Sequence, residues 1–397
     1  MAYTGMQYKD PAGGTPSDIG AQFRTDKYLR KALIDIKKEQ YFQQLANVEA
    51  MPRNFGKKLK KYQYIPLLDD RNINSQGLDA NGAVIAGGNL YGSSKDVGAI
   101  SGKLPVLSEA GGFVNRVGWT RVDLEGSLHK YGFYSTYTQE SMDFDTDAEL
   151  EMHINREMLN GANEITEDKL QIDLLNFGTT HRFAGNASTI ATVSGEAGSV
   201  CEIDYNDLMR LSIDLDDNRT PKQTTIITGS RMIDTKVVRA ARLLYMGSEM
   251  IPTFESMQDN FGKQAFVPLA HYAEAGSDIN GEYGAVGNFR VIVVPEMMHF
   301  AGAGATDTGG DTLYKSTSGK YDVFPLMCIG EESFSTIGFK TDGKSFKFKI
   351  KHSKPGSPES YANDPFGETG FMSIKWYYGF LGLRSERIGI AYSVART

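Results

Sequence analysis

"TDAELEMHINREMLNGANEITEDKLQIDLLNFG" occupies residues 146–178. Leu150, Ile154, Met158, Ala162, Ile165 and Ile172 recur in it at spacings of three, four or seven, the repeat of one helix face. Thr146 and Glu149 have the spacing of a capping box, and Asp147 falls in the first turn, where the helix dipole favours negative charge. Gly178 stands where a C-cap is expected. The pattern predicts one helix of about 31 residues, ~46 Å at 1.5 Å per residue, weakened only by Gly161 in its interior. Such a helix is roughly three times the usual length and serves as a strut. The rest of the chain is read around it.

Working back, "LHKYGFYSTYT" (128–138) is aromatic and β-prone and reads as a strand. Before it, "NGAVIAGGNLYGSSKDVGAISG" (81–102) is rich in glycine and shows neither a helical nor a strand period. A loose stretch of that length inside a folded chain needs a job of its own. "GKKLKKYQYIPLL" (56–68) alternates from Leu59 to Ile65 and reads as another strand. A helix is predicted from Thr25 to Ala50, its stripe running through Leu29, Leu33 and Ile36, then Tyr41, Leu45 and Val48, with Pro52 ending it. Residues 1–20, rich in Gly, Pro, Ser and Thr, read as a tail.

Working forward, the elements mix. "YNDLMRLSIDLDDN" (205–218) and "MIDTKVVRAARLLYM" (232–246) read as helices, and "KQTTIITG" (222–229) as a strand. "NFRVIVVPEM" (288–297) reads as a buried strand ended by Pro295, and "AGAGATDTGGDT" (301–312) as a second loose loop. Strands follow at 321–329, 345–351 and 374–391, the last broken near 379–384. No internal repeat is found. The class is α+β.

Composition is that of a folded globular protein: 40% hydrophobic and 23% charged over 397 residues. No apolar run approaches a membrane span, and "MAYTGMQYKD" lacks the charged and apolar regions of a secretory signal, so synthesis in the cytoplasm is expected. Cys201 and Cys328 provide no disulfide framework and cannot alone hold a structural zinc. The net charge of −7 argues against a whole-protein nucleic-acid binder. It is uneven, however. Residues 21–64 hold eleven Lys and Arg against four acids, +7, leaving −14 elsewhere. A basic arm on an acidic body suits nucleic acid or an acidic partner, or else a solvated helix face.

Catalytic patterns fail one by one. Gly338, Gly343, Lys344 and Ser345 satisfy the phosphate-loop pattern G-x-x-x-x-G-K-[ST], which must open a helix to hold phosphate. Here "FKFKIK" follows with strand alternation, so "TDGK" reads as an Asp-Gly hairpin turn between "STIGFK" and "SFKFKIK". A nucleotide hydrolase built on Gly338–Ser345 is the alternative from another class. Asp70, Asn72 and Asn74 imitate a calcium loop, but Ser75 stands at the glycine position and Asn81 at the closing acid. No nucleophile elbow occurs, and the six histidines are scattered, with His153 on the long helix read as structural. Asp143, Asp145, Asp147, Glu149 and Glu151 are explained by the helix dipole. No catalytic residue, cofactor or metal site is expected, and the chain is not read as an enzyme. What remains is architecture: a basic arm, a long loose loop, a strut and a mixed remainder, a chain suited to contacting its own copies.

"MPRNFGKKLKKYQYIPLL" (51–68) resembles the opening of major capsid proteins of tailed bacteriophages of the N-four type, and "DPFGETGFMSIKWYYGFLGLRSERIGI" (364–390) resembles their closing segment. The order of elements between them is similar to the Hong Kong 97-type capsid fold. The resemblance implies an α+β chain with an N-terminal arm (1–66), an extended loop (67–127), a peripheral domain with a spine helix (128–200), an axial α/β domain (201–325) and a return to the peripheral domain (326–397). It implies a homo-oligomer of pentamers and hexamers forming an icosahedral phage head, with scaffold, portal and decoration proteins as partners. Packaged double-stranded DNA would lie near the chain without specific contact, and no membrane is involved. An encapsulin-like compartment is the alternative within the same fold. Expected inter-subunit contacts are Lys57, Lys58, Lys60 and Lys61 of the arm and Asn89, Tyr91, Lys95 and Lys103 of the loop.

Overall fold

The computed structural model describes residues 40–45, 47–52, 54–65, 97, 121–144, 150–227, 235–239, 241–269, 281–309, 313–339, 348–357 and 364–397. In chain order the strands are β1 (Asn47–Met51), β2 (Lys58–Tyr64), β3 (Arg121–Thr138), β4 (Thr180–Phe183), β5 (Gln223–Ile227), β6 (Thr235–Arg239), β7 (Arg242–Gly247), β8 (Phe266–Pro268), β9 (Glu282–Val286), β10 (Phe289–Val294), β11 (Ser316–Thr317), β12 (Lys320–Tyr321), β13 (Phe324–Ile329), β14 (Phe334–Phe339), β15 (Lys349–Ser353), β16 (Thr369–Gly382) and β17 (Ile388–Ser393). The helices are α1 (Gln139–Phe144), α2 (Leu150–Phe177), α3 (Tyr205–Asp217) and α4 (Ile251–Glu255).

Two sheets organise the molecule. The larger has the order β4-β17-β13-β7-β10-β9-β8. Its strands β7 (RLLYMG), β13 (FPLMCI) and β17 (IGIAYS) are buried at every position. Unbroken apolar runs are what strands covered on both faces require. Helix α3 supplies cover through Leu208, Leu211 and Leu215, all fully buried. It starts on a cap in which Asp204 Oδ1 accepts the Asp207 N–H at 2.7 Å. Its far end is tied to the start of β7 by buried Arg242, which donates to Asp216 Oδ1 (2.6 Å) and to the Thr220 carbonyl (2.7 Å).

The second sheet has the order β1-β14-β16-β3-β2, with β15 also paired to β16. Thr369–Gly379 of β16 pairs with Thr138–Leu128 of β3. Met372, Ile374, Trp376 and Tyr378 of β16 are buried, and the Tyr378 hydroxyl donates to Asp173 of α2 at 2.7 Å. The buried line of α2 is Met158, Ala162, Thr166, Leu170 and Leu174, every fourth residue. Four residues overshoot a turn by about 40°, so this line winds around the helix as an i±4 ridge does. Ile165 and Ile172, expected on the core stripe, are 45% and 40% exposed for that reason.

Other expectations are corrected. Residues 47–51 are not the end of a helix but β1, parallel to β14, because burial of Met51 in the sheet overrides the helix-forming tendency of Glu49, Ala50 and Met51. Residues 25–39 lie outside the described residues. The helix expected at 232–246 is instead β6 and β7; "LLYM" fills the sheet centre, where burial outweighs propensity. "STIGFK" and "SFKFKIK" are not a hairpin. Both β14 and β15 run antiparallel to β16 along one of its edges, Ile337 opposite Gly379 and Lys349 opposite Lys375. They lie end to end, and residues 340–347 between them, with the Asp-Gly turn, are outside the described residues. Gly178 ends α2 without a left-handed cap; a Cβ there would sit 2.8 Å from Ile390 Cδ1, so close packing demands the glycine.

Candidate inter-subunit surfaces

The two sheets differ in what they leave uncovered. β3 continues past the sheet: Arg121–Ser127 pairs only with β2, Arg121 opposite Tyr64 and Ser127 opposite Lys58. The pairing sets Tyr64 beside Arg121, and between them the stretch read as a loose loop lies, except for Val97, outside the described residues. The ribbon is rooted by a small core of Met51, Leu128, Ile337 and Leu381. At its base Gly126 lies so close to the sheet that a Cβ would be 2.7 Å from Ile337 Cδ1.

The arm lysines expected at contacts all sit here, exposed. They are not a free positive strip. Lys58 and Lys60 both pair with Glu125 across the ribbon, Lys60 at 3.3 Å, and Lys61 reaches Glu49 at 3.5 Å. The two lysines hold the Glu125 carboxyl below its usual range. Beside these lysines the ribbon also presents exposed aromatic side chains. Phe55, Tyr62 and Tyr64 are 73%, 63% and 53% exposed, with Val122 beside them. The Arg121 guanidinium lies 5.5 Å over the Tyr62 ring. Alternation in "LKKYQY" places these tyrosines on one strand face with Lys58 and Lys60, a signal in the sequence that reading the lysines alone passes over. Asn89, Tyr91, Lys95 and Lys103 lie outside the described residues.

The chain preceding β1 is anchored by α2. Glu167 Oε1 accepts the N–H of Tyr41 (2.9 Å) and of Phe42 (2.7 Å). Phe42 is fully buried, its ring 5.1 Å from that of Tyr245. Burial pushes the Glu167 carboxyl up; the amides it faces pull the other way and do not cancel it. A mid-helix glutamate gives no sequence sign of this duty.

The groups that could carry chemistry are occupied structurally. Cys201 and Cys328 are buried, and burial pushes the Cys328 thiol up to about 12. His153 is half-buried on α2, its Nδ1 3.2 Å from the Arg156 guanidinium. Gly338, the start of the phosphate-loop pattern, lies within β14, and the chain continues to β15, a strand where nucleotide binding needs a helix. Among the described residues no group of His, Cys, Asp and Glu could hold a metal ion.

A strut helix on one sheet, a ribbon leaving that sheet, and a second, fully covered sheet sharing its core define a shell-forming subunit of the Hong Kong 97-like α+β fold. The chain belongs to the phage capsid protein family, whose sequence profile matches residues 121–391. It is 55% identical over 395 residues to the major capsid protein of Pseudomonas phage KPP21, covering 99% of this chain and 98% of that one. Solved structures similar in fold include the capsid of Ralstonia phage GP4, with TM-score 0.52, 10% identity, and coverage of 95% of this chain and 97% of that one. The capsid of cyanophage P-SCSP1u is similar at TM-score 0.51 and 12% identity, covering 96% and 97%.

Proposed function

We propose that this chain is the main subunit of a phage head, closing as pentamers and hexamers of one protein into an icosahedral shell around packaged double-stranded DNA. The observation that carries this is the 55% identity along nearly the whole chain to a phage major capsid protein. In this role the chain performs no covalent chemistry; its work is enclosure.

The seven-stranded sheet with α3 serves as the axial domain, and α2 with the six-stranded sheet as the peripheral domain. The chain crosses between them more than once after residue 325: β13 and β17 belong to the first, β14, β15 and β16 to the second. Residues 65–120, rooted on the ribbon, serve as the extended loop laid over a neighbouring copy. A hairpin limb gains ~3.3 Å per residue, so such a loop reaches several tens of ångströms. The ribbon aromatics and the arm lysines meet that neighbour. Each contact is weak, and many made at once hold the particle. The acidic body limits trapping on the genome. Scaffold, portal and decoration proteins act on the growing or finished shell.

The test is negative-stain microscopy and sedimentation of the purified chain, with mass spectrometry of purified virions. Closed particles and a dominant virion band are expected. A chain that stays a 43.7 kDa monomer under all conditions and is missing from virions overturns the reading.

A further inference from the structure

Two tetrapeptides share one pattern: Asp259-Asn260-Phe261-Gly262 and Asp364-Pro365-Phe366-Gly367. They also share one structure. Asp259 Oδ1 accepts the N–H of Phe261 (2.8 Å) and of Lys263 (2.9 Å), and Gly262 takes φ +71°. Asp364 Oδ1 accepts the N–H of Phe366 (3.2 Å) and of Gly367 (3.0 Å), its Oδ2 that of Thr369 (2.5 Å), and Gly367 takes φ +72°. Each turn is further braced by backbone: Asp259 N–H to the Lys263 carbonyl at 2.7 Å, and Gly356 N–H to the Gly367 carbonyl at 2.6 Å. Both phenylalanines are 87% exposed, the highest value for a large hydrophobic side chain among the described residues.

The turn itself uses only the aspartate, as local acceptor, and the glycine, whose backbone must enter the left-handed region. The phenylalanine does nothing for it. Twice the chain builds a rigid turn and sets on it a ring whose transfer from water is left unrealised. Rigid aromatic anchors lose little conformational entropy on docking and dominate interfaces. One stands beside the seven-stranded sheet, on the Gln258–Gln264 hairpin before β8; the other opens β16 of the six-stranded sheet. A foreign partner seated at one site would explain one anchor. A lattice of identical chains accounts for both with one occupant, because head-to-tail contacts make every copy a donor and an acceptor.

We propose that Phe261 and Phe366 are preformed assembly anchors, each burying its ring in a neighbouring copy of this chain as the shell closes. This rests on the shell-forming reading above. The test is hydroxyl-radical footprinting with peptide mass spectrometry on intact shells of the full chain and on the same chain dissociated. Oxidation of Phe261 and Phe366 should fall about tenfold in shells, as for rings in a desolvated interface. Phe261→Ser and Phe366→Ser should keep the wild-type circular dichroism, both rings lying outside the core, and each should raise the concentration for half-assembly about tenfold, with Phe→Leu partly restoring it. Shells in which both rings oxidise as fast as in the free chain, or serine variants that assemble like wild type, overturn the anchors alone. Protection that appears only after another virion protein is added overturns the identity of the occupant. Failure of the wild-type chain to form particles, even with virion partners, instead overturns the shell reading.

Discussion

β7 and β3 are built on opposite rules. β7 is buried at every residue and finds all its neighbours within the chain. β3 is exposed along much of its length, leaves Tyr134 60% exposed, and runs beyond its sheet into a ribbon. The central strands of the seven-stranded sheet thus lie wholly inside a core shared with α2 and β16, whereas the six-stranded sheet buries one face against α2 and offers the rest. A shell subunit needs both: a unit that folds before assembly, and surfaces that stay unsatisfied until a copy arrives. The contrast is testable because substitutions in the two regions should fail in different ways.

The largest effect belongs to the fully buried sheet. Leu244→Ala, at a fully buried position of β7, should cost about 3 kcal/mol of stability by urea denaturation, from lost transfer and a cavity together. Tyr134→Ser on β3 should stay within ~0.5 kcal/mol in the same assay. Equal losses would erase the distinction between the sheets.

Next is the anchor that joins the arm to the strut. Glu167→Ala removes the acceptor of two amides and should cost about 1–3 kcal/mol, read as faster hydrogen exchange at Tyr41 and Phe42. The pH dependence has a definite sign. Burial raises the Glu167 carboxyl above its usual 4.5, so the ionised form is penalised when folded. Its contribution is complete below 4.5 and declines as pH rises through the raised value. Glu167→Gln keeps an acceptor without the charge, so protection of residues 41–42 should no longer decline with pH.

A smaller effect of the same kind lies at the start of α3. Burial and the neighbouring charge of Asp204 raise Asp207 to about 6. Above that pH the wild type carries a buried charge; Asp207→Asn does not. The substitution should therefore raise the melting temperature at pH 8 and do little at pH 4.

These sites also mark where the sequence speaks and where it stops. Long periodic segments were readable: α2, β2, the sheet half of β3 (128–138), α3, and β10 ended by Pro295. So was the class of the molecule, through the segments at 51–68 and 364–390. The failures share one cause, contacts distant in sequence. Burial in the sheet turns 47–51 and 242–247 into strands against their local helical spacing. β16 draws β14 and β15 into line, where the Asp-Gly turn alone suggests a hairpin. The winding contact line of α2 places Thr166 inside and Ile165 outside, which no fixed stripe anticipates. Of the surfaces, the basic run at 57–61 was legible, but its pairing with Glu125 and Glu49 was not, since those acids come from other strands. The paired Asp-x-Phe-Gly turns stand in plain sight in the sequence, yet only the exposure of their rings sets them apart from ordinary turns.

The smallest effect on the chain itself belongs to those lysines, and it separates folding from assembly most cleanly. Replacing Lys57, Lys58, Lys60 and Lys61 by Glu breaks the contacts to Glu125 and Glu49 and sets like charges across the ribbon. These groups are solvated, and exposed pairs contribute little to stability. The unfolding midpoint should therefore stay at the wild-type value. Assembly should slow in low salt, because an acidic body that carries −14 outside residues 21–64 now meets an acidic ribbon, and the deficit should shrink as ionic strength rises and the Debye length falls. Light scattering followed across a salt series distinguishes the outcomes. A deficit that ignores salt assigns the contact to the exposed tyrosines rather than the lysines. No deficit at any salt places the neighbour's contact elsewhere than on this ribbon.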